Sequence, residues 1–289
     1  MKKLLFIFTL ALLTFAAHAQ KVSVATYNIR CITASDTQNG NGWDVRCPVI
    51  ADLVRFHDFD IWGAQEVVMR KQLDDLQSVL PEYGYAAGVG RDDGKDRGEA
   101  APIFYKKDRF ELLKEGHFWL SEKPDEPSKG WDAQLPRICA WGVFRDKVAD
   151  KTFWVFNLHM DHVGVVARSE GAKLVLGRIR EMCGDQPVIF MGDFNVDQNN
   201  ASYKLVAESG LLRCAYEASP VRYAYNNSFN SFNTQGGADA YLRIDHIFVT
   251  KHFKVERYGI LTDTYYPKGG PLRLPSDHFP VKVVLSYEK

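Results

Sequence analysis

Four short polar clusters each close an apolar run: Thr26-Tyr27-Asn28, Gln65-Glu66, Gly192-Asp193-Phe194-Asn195 and Ser276-Asp277-His278. The runs ahead of the first three, at 22–25, 61–64 and 188–191, carry the β-branched and aromatic residues of buried strands. A carboxylate or carboxamide just past a strand stands at the rim of a sheet on a rigid base. Folds place chemistry there rather than packing. One such cluster says little, but four together constrain the chain strongly.

Between the clusters the pattern alternates. Residues 21–30 read as a strand, and Pro48 then opens a helical stretch that ends near Phe56. A strand at 59–62 delivers Gln65-Glu66, and Leu73, Leu76 and Leu80 repeat at helical spacing until Pro81. Residues 103–105 and 110–112 flank Lys106-Lys107-Asp108 and predict a hairpin. The runs 138–144 and 152–158 predict a strand pair whose second member delivers His159, and Val175, Ile179 and Met182 mark a helix up to Cys183. Strands at 188–191, 244–249 and 281–285 complete a mixed α/β chain with a surface loop at 88–98. Helices and hairpins together argue against a purely parallel, doubly wound sheet.

The chain starts Met1-Lys2-Lys3, runs apolar over 4–17, and offers Ala17-His18-Ala19 as a cleavage site. That order predicts a secretory signal peptide over 1–19, cleaved after Ala19, and a periplasmic or secreted protein. The apolar run is shorter than the roughly 20 residues of a spanning helix, so no transmembrane segment is expected after cleavage. Residues 20–289 show no linker, repeat or low-complexity tract and predict a single domain. With 36 basic and 36 acidic residues, the chain lacks the basic excess of a protein that grips long nucleic acid. Five cysteines without a C-x-x-C indicate neither a zinc site nor a disulfide framework, although Cys31 and Cys47 could pair in an oxidising compartment. Asn200-Ala201-Ser202 and Asn226-Asn227-Ser228 are formal glycosylation sequons.

The strand-end residues have a common chemistry. Glu66, Asp193, Asp245 and Asp277, with Asn28 and Asn195, are hard oxygen ligands that suit Mg²⁺, Mn²⁺ or Ca²⁺. Glu66 is the first choice as direct ligand. Asp193 and Asn195, two apart, would share one side of an extended segment, Asp193 handling a water and Asn195 a phosphate oxygen or its metal. Gly192 would let the backbone come close. The EF-hand alternative at Asp193 fails because its sixth and twelfth positions are Gln198 and Lys204. His159 and His278 are the candidate imidazoles; a histidine facing a phosphoryl group works best charged, and Asp245 is the candidate partner for His278. His162 reads as a surface or supporting imidazole. Arg137 could steady a phosphate or close a salt bridge, and Glu99 could assist the metal or be a plain loop carboxylate. Trp43, Trp131 and Tyr241 could wall a pocket or belong to the core.

Taken together with Asn157-Leu158-His159 and Arg243-Ile244-Asp245-His246, the motifs resemble, in order, those of the endonuclease/exonuclease/phosphatase family. That family includes DNase I-like nucleases, deadenylases, inositol polyphosphate 5-phosphatases and neutral sphingomyelinases. The resemblance implies an α/β (α+β) four-layer sandwich, two packed mixed β-sheets flanked by helices, with a divalent metal at one end. It implies Mg²⁺ on Glu66, with Asn28 beside it and Asp277 helping. Asp193 would activate water, Asn195 would contact phosphate, and His159 and His278 would hold phosphoryl oxygens, His278 oriented by Asp245. The expected activity is metal-dependent hydrolysis of a phosphodiester or phosphomonoester by in-line attack of water. The expected partner is a small or lipid-linked phosphoester, such as an inositol or sugar phosphate, bound by a monomer. A secreted nuclease is the enzymatic rival, and a non-catalytic binding protein on the same fold is the rival of another class.

Overall fold

The computed structural model describes residues 21–235 and 242–288; the predicted signal peptide and Tyr241 lie outside them. In chain order the first strands are β1 (Lys21–Asn28), β2 (Ile61–Gln65), β3 (Val67–Val68), β4 (Tyr83–Ala86), β5 (Glu99–Ala100), β6 (Ile103–Lys106) and β7 (Phe110–Trp119). They are followed by β8 (Ile138–Asp146), β9 (Lys151–His159), β10 (Val188–Asp193), β11 (Arg213–Cys214), β12 (Arg222–Tyr223), β13 (Asp245–Val249), β14 (Phe253–Ile260) and β15 (Val281–Tyr287). The helices are α1 (Ala34–Gln38), α2 (Trp43–Phe56), α3 (Lys71–Val79), α4 (Val165–Cys183), α5 (Ala201–Ala207) and α6 (Ala215–Ala218). One sheet runs β12-β14-β15-β1-β2-β6-β4, a second runs β11-β13-β10-β9-β8-β7, and β3 and β5 form a small ribbon. Both large sheets are mixed: β1 with β2 and β9 with β10 are parallel, whereas β15, β13 and β8 join antiparallel.

Burial follows the two-residue period of each strand. Val22 and Val24 of β1 meet Val155 of β9 and Met191 of β10 in a core between the sheets. Ala25 and Tyr27 point the other way, onto α2 and α3. On the opposite sheet Phe156, Leu158 and Phe190 pack against α4 and α5. Three apolar cores between four layers result, the architecture that the resemblance implies.

The inner faces change character along their length. Val22 and Val24 give way to Thr26 and Asn28, Ile61 to Gln65, Phe153 and Val155 to Asn157 and His159, and Ile189 and Met191 to Asp193. Parallel pairing puts these polar ends on one rim, and antiparallel β13 and β15 add their N-terminal residues to it. Asn157 locks the sheets together just beneath. Its Nδ2 donates to the carbonyls of Ala64, Ala101 and Pro102 at 2.8–3.2 Å, and its Oδ1 accepts from Gln65 at 2.7 Å. Gly63 makes room, since a Cβ there would lie 2.4 Å from Asn157 Oδ1. Asn157→Leu strands these buried groups and is expected to cost roughly 3–5 kcal/mol, read as a lower urea midpoint with secondary structure retained.

Two local expectations are corrected. The predicted hairpin at 103–112 is a crossover, because β6 belongs to one sheet and β7 to the other. Arg109 pins this link by bridging Asp60 and Asp146, each at 2.8 Å. Pro48 does not open its helix: α2 starts at Trp43 and carries Pro48 inside, so the carbonyl one turn back loses its donor. All five cysteines, Cys31 and Cys47 included, are unbonded. Of the sequons, Asn200 caps α5 by accepting from Ser202 N, and Ser228 is buried beside the site described next.

Candidate active site

The polar rim lines a pocket of about 350 Å³. Arg30 groups with Glu66 and Asp277, and His159, His278 and Asn195 group around Asp193. Arg91, Glu99, Arg137 and His162 also line the pocket, with Phe229, Leu135 and Ile244 as apolar lining.

Glu66 follows β2 with a left-handed φ of 60°, a strained setting for a side chain. Its Oε1 accepts from Asn28 Nδ2 at 3.1 Å and its Oε2 from Cys31 N at 3.0 Å. Burial pushes this carboxyl up, but those two hydrogen bonds and the charges of His278 and Arg30 outweigh it and hold the group below its ordinary range. Asn28 is fully spent: it also donates to Asp193 at 3.0 Å, and its Oδ1 accepts from Arg30 N. It therefore sits beneath the pocket and couples Glu66 to Asp193. Arg30 stands 3.5 Å from Asp277 and 4.0 Å from Glu66, where two carboxylates converge on a cation.

His278 Nδ1 donates to Asp245 Oδ2 at 2.9 Å, and its Nε2 lies 3.7 Å from Asp193 Oδ2. Burial alone would neutralise this imidazole; Asp245 and Asp193 override it and push it up to about 10. Asp193 is pushed up to about 7 by burial and by the charge of Asp245, with His278 and Asn28 pulling back part of the shift. Ser228 Oγ accepts from the backbone N–H of both Ile244 and Asp245, and Phe229 packs edge-on against His278 with centroids 5.0 Å apart. His159, at the end of β9, lies 3.5 Å from Asp193 Oδ2. Burial, then the charges of Arg137 and Arg91, hold it well below the ordinary imidazole range, so it is neutral.

Asp193 and Asn195 do not share an extended segment. The chain turns at Asn195, with φ of 51°; its N–H donates to Asp193 Oδ1 at 2.9 Å and its Nδ2 to Met160 O at 2.9 Å. Gly192 does allow the close approach expected of it, since a Cβ would lie 2.1 Å from Leu158 O. Arg137 is buried, its Nε 3.3 Å from Asp161 and its Nη2 donating to His162 Nδ1 at 3.0 Å. Asp161 also accepts four backbone N–H groups, which with Arg137 fix the 134–137 loop. Arg137 Nη1 is buried without a partner. Glu99 forms a two-pronged ion pair with Arg91. Trp43 belongs to the core, donating to Asp75, and Trp131 is not part of the pocket lining. The aromatic wall is Phe229. Sequence reasoning passed over Arg30, Arg91, Ser228 and Phe229; only Arg30 carried a signal, directly after the first cluster.

Two places gather cation ligands. Asp193, Asp245 and His278 each bring a ligand atom within 4.8 Å of the others. His278 already fills that cluster with an imidazolium. Glu66 and Asp277 instead offer hard oxygens to the pocket, a donor set that fits magnesium, manganese or calcium.

The sequence model of the Endonuclease/Exonuclease/phosphatase family matches residues 25–278. The chain belongs to this family. Family members hydrolyse phosphoester bonds and are generally dependent on a divalent metal. The chain is 51% identical to the Bacteroides thetaiotaomicron mannosyl-6-phosphatase, over 91% of this chain and 99% of that one, with a TM-score of 0.87. A Bacteroides thetaiotaomicron structure described only as an endonuclease/exonuclease/phosphatase family protein is 51% identical, covering 93% and 98%, with a TM-score of 0.89. The CCR4-Not complex 3'-5'-exoribonuclease subunit Ccr4 of Emericella nidulans is 25% identical over 69% of this chain and 39% of its own length. The protein is a phosphoesterase of this family, on the family's DNase I-like fold.

Proposed function

We propose that this protein is an exported phosphatase that releases phosphate from a sugar monophosphate, with a divalent cation, magnesium first, on Glu66 and Asp277. The observation that carries the reading is the pocket: about 350 Å³ and lined mainly by polar groups, it has the dimensions of a site for one small ligand. The balanced charge of the chain points the same way, away from nucleic acid. The 51%-identical mannosyl-6-phosphatase supports a sugar as the leaving group, and the sequence of 1–19 supports export.

A cation bound by Glu66 and Asp277 would supply charge neutralisation at the phosphoryl oxygens. Asp193, pushed up to about 7, is matched to take the proton of an attacking water near neutral pH. His278, charged and braced by Asp245, donates to a phosphoryl oxygen, and neutral His159 offers a second donor beside it. Arg137 holds an unpartnered Nη1 for the terminal oxygen of a dianionic monoester.

The test is phosphate release from mannose 6-phosphate with Mg²⁺, Mn²⁺ or Ca²⁺ and with EDTA, beside bis-p-nitrophenyl phosphate and single-stranded RNA and DNA. Mannose 6-phosphate is expected to lead by roughly 100-fold in kcat/KM, and EDTA to abolish turnover. Preference for the diester or nucleic acid would favour the nuclease reading, to which the similarity with Ccr4 belongs. No turnover with any cation would favour the binding protein.

A further inference from the structure

We infer that the Arg91–Glu99 pair is the specificity element for the leaving group, reading adjacent hydroxyls of the sugar; this rests on the sugar-phosphatase reading above. Both residues line the pocket. Arg91 Nη1 donates to Glu99 Oε2 at 2.7 Å and Nη2 to Oε1 at 3.1 Å, so the fork and the carboxylate face each other flat. Each group keeps a second hydrogen or lone pair at its edge.

The pair is held rigidly. Glu99 pairs with Val68 in the β3–β5 ribbon, which starts directly after Glu66. Arg91 N donates to Glu99 O at 3.0 Å, and Trp119 Nε1 donates to Arg91 O at 2.7 Å. Arg91 is only 8% exposed, and its Nε is buried without a hydrogen-bond partner. Glu99 keeps about 20% of its side chain exposed, so the pair is open to a ligand at the pocket, and as an ion pair it adds little net stability.

Its chemistry selects hydroxyls over anions. The neighbouring lining, Arg137 above all, presents donors suited to phosphate. Arg91 and Glu99 together are neutral and present donors and acceptors side by side, which matches hydroxyls that both give and take hydrogen bonds. A second phosphate placed there would compete with Glu99 for Arg91 and leave that carboxylate unpaired beside it, so the pair favours hydroxyls over a second anion. The pocket thus favours a polyol carrying one phosphate over a bisphosphate.

The experiment compares mannose 6-phosphate with n-hexyl phosphate, which has the same primary leaving oxygen without hydroxyls, using purified protein and saturating Mg²⁺. Wild type, Glu99→Gln and Arg91→Lys are measured, with melting temperatures as the folding check; Arg91→Lys carries the test if Glu99→Gln does not fold. The kcat/KM ratio of the sugar over the alkyl ester is expected to fall roughly 10- to 100-fold in the variants, mainly through KM. Relative turnover of fructose 1,6-bisphosphate is expected to rise in Glu99→Gln. Equal losses on both esters would overturn the inference, giving the pair a structural or catalytic role. A wild type that turns over both monoesters equally would overturn it too, while leaving the phosphatase reading standing. A wild type that prefers diesters would sink both.

Discussion

Replacing His278 with glutamine is expected to lower kcat/KM roughly a thousandfold while leaving the protein folded. The residue's surroundings account for both halves of that expectation. Nδ1 is committed to Asp245 at 2.9 Å, which fixes the ring, and Nε2 is aimed at the pocket close to Asp193. A glutamine can still donate to Asp245, so no buried carboxylate is left bare, but it carries no positive charge for the phosphoryl group. The charge itself has a signature in pH. His278 is held up at about 10 and Asp193 at about 7, so activity is expected to rise through pH 7 as Asp193 ionises and fall near pH 10 as His278 loses its proton. Asp245→Asn removes the charge most responsible for the imidazolium and should bring the alkaline limb down. Stability follows the same sign: a raised imidazole stabilises fully below its ordinary value of 6.5, and that contribution is lost as pH climbs through about 10. The melting-temperature gap between wild type and His278→Gln should therefore narrow over that range. A gap that stays constant, with an unmoved alkaline limb in Asp245→Asn, would mean that His278 is not the charged donor.

The sequence exposes this site because each strand spends its two-residue period the same way, apolar toward the middle and polar at the rim. Asn28, Gln65, His159 and Asp193 all lie at C-terminal strand ends, so apolar runs followed by oxygen and nitrogen ligands marked them before any contact was known. What pairing partner a strand takes is a different matter. The stretches 103–106 and 110–119 look like a hairpin locally, yet the energy that separates them is nonlocal: Arg109 tying Asp60 to Asp146 across the sheets. Asn195 deceived for a similar reason, because the bond from its N–H to Asp193 bends the chain where spacing alone suggests a straight segment. Arg91 and Phe229 reach the pocket from loops whose composition says only that they are turns. Their placement depends on Trp119 and on the bridge between Phe229 and His278, contacts that no sequence window contains.

Glu66→Gln is expected to remove cation-dependent turnover, a loss of roughly a thousandfold or more, together with the stabilisation a cation gives. With wild type, Mg²⁺ at about 100 times its dissociation constant should add close to 2.7 kcal/mol, visible as a melting shift; Glu66→Gln should show little of it. The reasoning lies in how the carboxylate is held. Asn28 and Cys31 N–H each take one direction on it, which pins the group in its left-handed turn and favours its ionised form, leaving its remaining lone pairs to the pocket. Asp277 is the opposite case. Burial pushes its carboxyl up and Glu66 adds to the effect, more than His278 and Arg30 pull it back. A carboxyl raised in the folded state costs stability once pH exceeds its ordinary value, and a bound cation relieves that cost. Asp277→Asn should therefore melt higher than wild type in EDTA and gain less from Mg²⁺. Such a crossing of the two curves is what a ligand pair held apart for a cation produces, and a purely structural carboxylate does not. If Glu66→Gln kept the full Mg²⁺ shift, the cation would belong with Asp193, Asp245 and His278 instead, and His278 would have to give up its proton to admit it.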